Sequence, residues 1–318
     1  MKLQTPISIK PLDKQLTYQN KLLFCGSCFA EEIGTRFSNL YFKTLINPFG
    51  TLFNPISIAQ SILRLSLMSK GDEQQLFTLD DVIKVDSLFC SFSHHSKFAK
   101  RSQDDFLIQA NRDLKINSLF FKESEWIIVT LGTAFIYKDK TDHQVVSNCH
   151  KLPQNRFLRE LLSVDETANV LTDMVKRDPY KNWIFTISPV RYLSDGLHQN
   201  QVSKSTLILA VEEVIKRCNN AHYFPAFEIV IDELRDYRFY AENMTHPSSQ
   251  AVDYIFDRFI EYALSPTQYK VLSVAQELKK LSSHRPMFPD TAKSRAFNSL
   301  INKKREEFNS LININKEL

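Results

Sequence analysis

Short apolar runs separated by helical patterns constrain this chain more than any other feature. That alternation buries well only as a mostly parallel sheet covered on both faces. The runs are Leu22–Cys25, Lys43–Ile46, Ile127–Leu131 and Ile184–Ile187, with a fifth near Ala221–Phe224 or Phe227–Ile231. After the first, Phe29, Ile33, Phe37 and Leu40 recur as on one face of a helix. Ile56–Leu67 is a second amphipathic helix, with Asn54 suited to cap it and Pro55 to its first position. Phe157–Met174 and Ser203–Cys218 read as later crossover helices. The less periodic span 69–122 reads as an insertion with a helix near Asp104–Leu114. Trp126 and Trp183 hold matching places and read as closing the start of their strands. Beyond Pro247, helical patterns recur at Ala251–Leu264, Thr267–Leu281 and Ala292–Leu311. The expected organisation is one α/β domain over 1–255 and a helical C-terminal extension over 256–318, whose charged last helix could mediate self-association.

Forty basic residues against 36 acidic ones leave a formal charge of +4. That balance is too even to point to a nucleic-acid or membrane partner. Met1–Ile7 lacks the apolar run of a signal peptide, and no stretch approaches about 18 apolar residues. A cytoplasmic protein is the expectation. Five cysteines, at 25, 28, 90, 149 and 218, form no dense disulfide framework. Cys25 and Cys28 make a Cys-x-x-Cys, but Cys25 ends an apolar run and is expected to face the core. No His-Glu-x-x-His or second cysteine pair supports a metal, and no cofactor is expected.

Only six glycines occur in 318 residues, and one falls where the first apolar run meets a helix, in Gly26-Ser27-Cys28. A parallel sheet binds ligands outside the carboxyl ends of its strands. That rule selects Ser27, then Asn47-Pro48-Phe49-Gly50-Thr51, Gly132-Thr133, Ser188-Pro189-Val190-Arg191 and Glu242-Asn243-Met244-Thr245-His246. Ser27 is the expected nucleophile and His246 the expected base, since neutral imidazole can take a serine proton near pH 7. His94, His95, His143, His150, His198, His222 and His284 are competitors, with His198 closest to the fourth-strand loop and His94-His95 able to line substrate. Asn243 and Glu242 are candidates to orient the His246 ring. Asparagine can hold an imidazole tautomer but cannot offset imidazolium charge, so a dyad is expected rather than a full triad. The N–H groups of Ser27 and Cys28, the Asn47 amide, Gly50, Gly132 and Thr133 are candidate oxyanion or substrate contacts. Arg191 could clamp an anionic substrate or pair with a structural carboxylate.

Together these segments resemble the GSCFA-domain family, a bacterial branch related to the SGNH/GDSL hydrolases. The resemblance rests on Gly26-Ser27-Cys28-Phe29-Ala30, Asn47-Pro48-Phe49-Gly50-Thr51, Thr130-Leu131-Gly132-Thr133-Ala134 and Asn148-Cys149-His150-Lys151. It extends through Ser188-Pro189-Val190-Arg191, Ser203-Lys204, Asp232–Tyr240 and Met244-Thr245-His246-Pro247-Ser248. It implies a flavodoxin-like three-layer α/β/α hydrolase with Ser27 as nucleophile and His246 as base. Asn243 stands where the superfamily carries the aspartate of Asp-x-x-His. The superfamily's Gly-x-Asn-Asp block has no clear counterpart here, because Thr133-Ala134-Phe135 follows Gly132.

The expected function is an esterase or O-acyl hydrolase working through an acyl-enzyme, on a small-molecule or glycan ester. An O-acyltransferase would use the same chemistry with another acceptor. A carbohydrate-binding or scaffold protein without catalysis is the alternative of a different class.

Overall fold

The computed structural model describes residues 5–284 and 291–314. Strand β1, Lys21–Gly26, is buried from its second residue and leads through Ser27 into helix α1, Cys28–Asn39. Strand β2, Lys43–Ile46, follows, then helix α2, Pro55–Ser69, capped by the Asn54 side chain as its sequence suggested. A small hairpin of β3, Ile83–Val85, and β4, Leu88–Cys90, precedes helix α3, Gln103–Glu123. Strand β5, Trp126–Leu131, is buried throughout. A separate antiparallel sheet then forms from β6, Phe135–Asp139, β7, Val145–Val146, and β8, Phe157–Leu161. Helix α4, Val164–Arg177, strand β9, Asn182–Ile187, helix α5, Gly196–Arg217, and strand β10, Ala221–Tyr223, complete the core. Helices α6, Ser249–Ala263, α7, Tyr269–Ser283, and α8, Ala292–Ile314, close the chain.

The central sheet runs β10-β9-β5-β1-β2 with every pairing parallel. Counting only its own strands, the order is 2-1-3-4-5, the flavodoxin-like doubly wound arrangement. Side chains alternate between two cores, as strand geometry requires. Leu22, Phe24, Trp126 and Ile128 pack with α1, α6 and α7. Leu23, Cys25, Ile127 and Val129 pack with α2, α3, α4 and α5. The molecule is therefore a three-layer α/β/α sandwich.

Several expectations change. The apolar stretch from Phe157 divides: Phe157–Leu161 is strand β8, and the helix begins at Val164. Ser163 and Glu166 close a capping box there, satisfying N–H groups that a continuous helix would not leave free. The second alternative for the last strand, Phe227–Ile231, is helical, with a π-helical turn at Ile229–Leu234. The span 69–122 holds the β3–β4 hairpin, but it also holds α3, whose Phe106, Leu114 and Phe121 belong to the second core. Residue 255, the expected domain boundary, lies inside α6. Ile255, Phe256, Val271, Ala275 and Phe308 all join the first core. Trp126 and Trp183 both lie at the amino ends of their strands, fully buried. Among the described residues, no helix is long and apolar enough to cross a membrane.

Candidate active site

At Gly26 the backbone of β1 crosses β5 at very close range. Gly26 has φ of +137°, and a Cβ there would lie 2.1 Å from the Thr130 carbonyl oxygen. Only glycine fits both conditions. The Ser27 N–H donates to that carbonyl at 3.0 Å, and the Leu52 N–H donates to Gly26 O at 2.9 Å. The chain is thereby pinned as it turns from strand to helix, at the crevice where the sheet order reverses.

Beyond this turn lies an open cavity of about 680 Å³. Ser27, Cys28, Phe53, Gly132, Thr133 and Ser188 line its floor. The antiparallel sheet supplies a wall, with Phe135, Tyr137, Phe157 and Arg159 beside Asn148 and Cys149. The Arg159 guanidinium stacks over Phe135 at 3.6 Å and pairs with Asp195 at 2.5 Å, which fixes that wall.

The two chemically active side chains of the turn are placed differently. Ser27 caps α1, is 1% exposed, and its Oγ accepts from the Phe29 N–H at 3.3 Å. Cys28 is the first residue of α1 and half-buried at the cavity surface. Burial raises its thiol, while the N–H groups of Phe29 and of Cys28 itself lower it, as does Lys204. Replacing Ser27 with alanine removes the cap and is expected to lower stability by about 1 kcal/mol, measured by urea unfolding.

No hydrogen bond joins the Ser27 and His246 side chains among the described residues. His246 is exposed on the loop before α6 and does not line the cavity. Asn243 hydrogen-bonds the ring through its amide nitrogen. Asn243 Oδ1 accepts from the N–H groups of Thr245 and His246, both at 3.0 Å, so its amide NH2 must face the ring. That NH2 donates to His246 Nδ1 at 2.9 Å. Nδ1 is therefore an acceptor, and the neutral ring carries its proton on Nε2. An Nε2–H donates; it cannot take a proton from a nucleophile. Glu242 is exposed and makes no hydrogen bond to His246 among the described residues.

Most of the candidate oxyanion donors are already engaged. The N–H groups of Gly132 and Thr133 both donate to Phe53 O, and the Gly50 N–H donates to Asn47 O. Gly50 packs against His95, away from the cavity. The Thr133 hydroxyl shares a 3.0 Å hydrogen bond with Ser203. Asn47 accepts from the Gly26 N–H at 2.9 Å through Oδ1, and its buried Nδ2 has no partner among the described residues. Arg191 lines a neighbouring cavity of about 540 Å³ with Arg235, Tyr237 and Met244, and its buried Nε is likewise unpartnered among them. No carboxylate pairs with it among the described residues.

The residue that sequence reading left without a role is Lys204. It is 2% exposed, and its Nζ donates to Gly132 O and Ser188 O, each at 2.7 Å. These bonds tie together the carboxyl ends of β5 and β9. Desolvation holds its pKa down to about 7, partly opposed by Cys28 and assisted by Arg191. A signal was present: Lys204, Leu207, Val211 and Val214 fall on one stripe of α5, and a lysine on an apolar stripe is costly to bury.

His94, a competitor for the base, is 3% exposed among Phe49, Phe77, Phe98 and Phe106. Burial pushes it down to about 3, and its Nδ1 bonds to Ser91 at 2.7 Å. Neither it nor His95 lines the cavity. Cys25 is buried beside Ser61, and burial raises its thiol to about 12, so it does not share the environment of Cys28. No cluster of three metal-binding side chains occurs among the described residues.

The GSCFA family model matches residues 21–259, which contain β1 through most of α6. No curated protein matches the chain. Among solved structures, the chain is similar to an acetyl xylan esterase from the rumen bacterium Butyrivibrio proteoclasticus, at 10% identity and a TM-score of 0.37. That alignment covers 80% of this chain and 65% of the other, so this chain spans less than two thirds of its length.

Proposed function

The chain belongs to the GSCFA family, and we propose that it is an ester hydrolase whose acyl transfer takes place at the Gly26–Cys28 turn. The observation that carries this reading is the turn itself. It presents a nucleophilic side chain at a helix N-terminus, on the floor of an open cavity, at the switch point of a parallel sheet. A helix N-terminus favours the negative charge that develops on an attacking sulfur or oxygen, and on the carbonyl oxygen under attack.

The cavity wall bears on the substrate. Phe135, Tyr137, Phe157 and Tyr192 offer apolar ring faces, while Asn148 and Gln154 offer hydrogen bonds. That mixture suits a small acyl group carried by a ring-shaped polyol, such as an acetylated sugar.

Release of acetate from p-nitrophenyl acetate and from a peracetylated hexose tests the proposal. Saturable turnover well above buffer is expected with both. Val190, at the cavity lining, offers a second check: Val190→Trp should fill the space and reduce turnover at least about tenfold, with unfolding unchanged. Turnover that matches buffer for every ester tried would contradict the proposal and favour a binding role.

A further inference from the structure

The turn carries two candidate nucleophiles, and their surroundings differ. Ser27 Oγ is enclosed and committed to its cap, whereas Cys28 Sγ belongs to a side chain that opens onto the cavity. Cys28 lines the cavity together with Gly132 and Ser188, the two residues whose carbonyl oxygens hold Lys204 Nζ; burial raises the Cys28 thiol overall, and Lys204 acts to lower it. Lys204 has no carboxylate partner among the described residues, and its two hydrogen bonds both go to carbonyl oxygens. A neutral amine has two N–H groups and one lone pair. With both N–H groups on Gly132 O and Ser188 O, the lone pair is left to accept a proton. His246, the other expected base, presents a donor on Nε2.

On the reading that this cavity is the ester-hydrolysing site, we propose that Cys28 Sγ is the nucleophile and that Lys204 Nζ takes and returns its proton. The Sγ proton passes to Lys204, and the thiolate attacks the ester carbonyl carbon. A C–S bond forms and the carbonyl oxygen becomes an oxyanion. Collapse breaks the C–O bond to the alcohol, which leaves with the proton from Lys204. Water then attacks the thioester, again giving a proton to Lys204. Collapse of this second intermediate breaks the C–S bond, the acid is released, and the Cys28 thiolate recovers its proton from the ammonium. The groups facing Lys204 are Cys28 from α1 and Arg191 from the loop after β9. Both Lys204 bonds persist in either protonation state, so the base can cycle without the strand ends moving.

The test incubates the full chain with p-nitrophenyl acetate, quenches in acid and maps the acetylated peptide by mass spectrometry. An acetyl group on Cys28 that neutral hydroxylamine removes is expected, and Cys28→Ala should abolish both the label and turnover. In Ser27→Ala the acetyl label should still fall on Cys28. Lys204→Arg retains a charge and donors but accepts no proton near neutrality. It should lower kcat/KM about 100-fold or more and remove its dependence on pH around neutrality; a lysine that merely holds the strands would leave that dependence in place. The wild-type peptide map decides the nucleophile even if a variant fails to fold. Acetyl on Ser27, or turnover with Cys28 never labelled, overturns this inference while leaving the esterase reading standing. Absence of both turnover and label overturns the esterase reading itself.

Discussion

Replacing Gly26 with alanine is expected to destabilise the fold by about 2–6 kcal/mol, combining a backbone conformation reserved for glycine with overpacking against β5. The added methyl group would lie 2.1 Å from Thr130 O and 2.9 Å from its carbonyl carbon. Neither atom can yield, because Thr130 is in the middle of the sheet and its carbonyl already accepts the Ser27 N–H. Gly71 separates the two effects. It has φ of +91° but nothing within 4 Å of its Cβ position, so Gly71→Ala carries the backbone cost without the crowding. Urea unfolding of both variants should show the larger loss at Gly26 by at least about 1 kcal/mol. Equal losses would mean that the strand crossing has room to yield.

The second large effect concerns pH. Lys204 is held down from its ordinary value of 10.5 to about 7 by burial. Below about pH 7 the folded and unfolded chains both carry the ammonium, and the folded chain bears the full cost of burying it. Between about pH 7 and 10.5 the unfolded chain binds a proton that the folded chain lacks. Stability from this group therefore rises with pH across that window, by up to about 1.4 kcal/mol per unit. Lys204→Met removes the titration. The unfolding free energy of wild type minus that of the variant should grow between pH 7 and 8.5 and stay flat between pH 5.5 and 6.5. Subtraction cancels the groups common to both proteins, including the buried tyrosines. A difference that does not change over the whole range would mean that the buried amine keeps its proton throughout, as an ordinary exposed lysine does. Loss of the two donors to Gly132 O and Ser188 O lowers the variant's stability at every pH, and that offset does not affect the slope.

The centre of the sheet was legible because β1, β5 and β9 are buried on both faces and read as continuous apolar runs. The four runs from Leu22 to Ile187 are all strands of that sheet. The cavity wall was not legible. Strands β6, β7 and β8 pair across residues 135–161, and β8 runs into a helical pattern without an apolar break. The Ser-x-x-Glu of Ser163 and Glu166 was the one local mark of that boundary. Ile229, Val230 and Ile231 look like a buried strand, but they form a π-helical turn packed beneath α6.

Sequence singled out the turn and the loop of His246 as candidates, but not that His246 stands outside the cavity lining. Adjacent residues can face different surroundings at a strand-to-helix junction, and Ser27 is enclosed as the cap of α1 while Cys28 is more open to the cavity that both line. The proton position on His246 follows from two backbone N–H groups that fix Asn243, a relation that no residue pattern encodes. Lys204 was visible as an oddity of the α5 stripe. Its meaning emerged only from the two strand ends it joins.

One measurement reaches the central claim most directly. Wild-type protein is alkylated at Cys28 with a single equivalent of iodoacetamide, the site of modification is confirmed by peptide mapping, and hydrolysis of p-nitrophenyl acetate is followed. Loss of turnover in proportion to Cys28 modification, with the unfolding midpoint unchanged, is the result this structure leads us to expect. Full turnover from protein completely alkylated at Cys28 would contradict it.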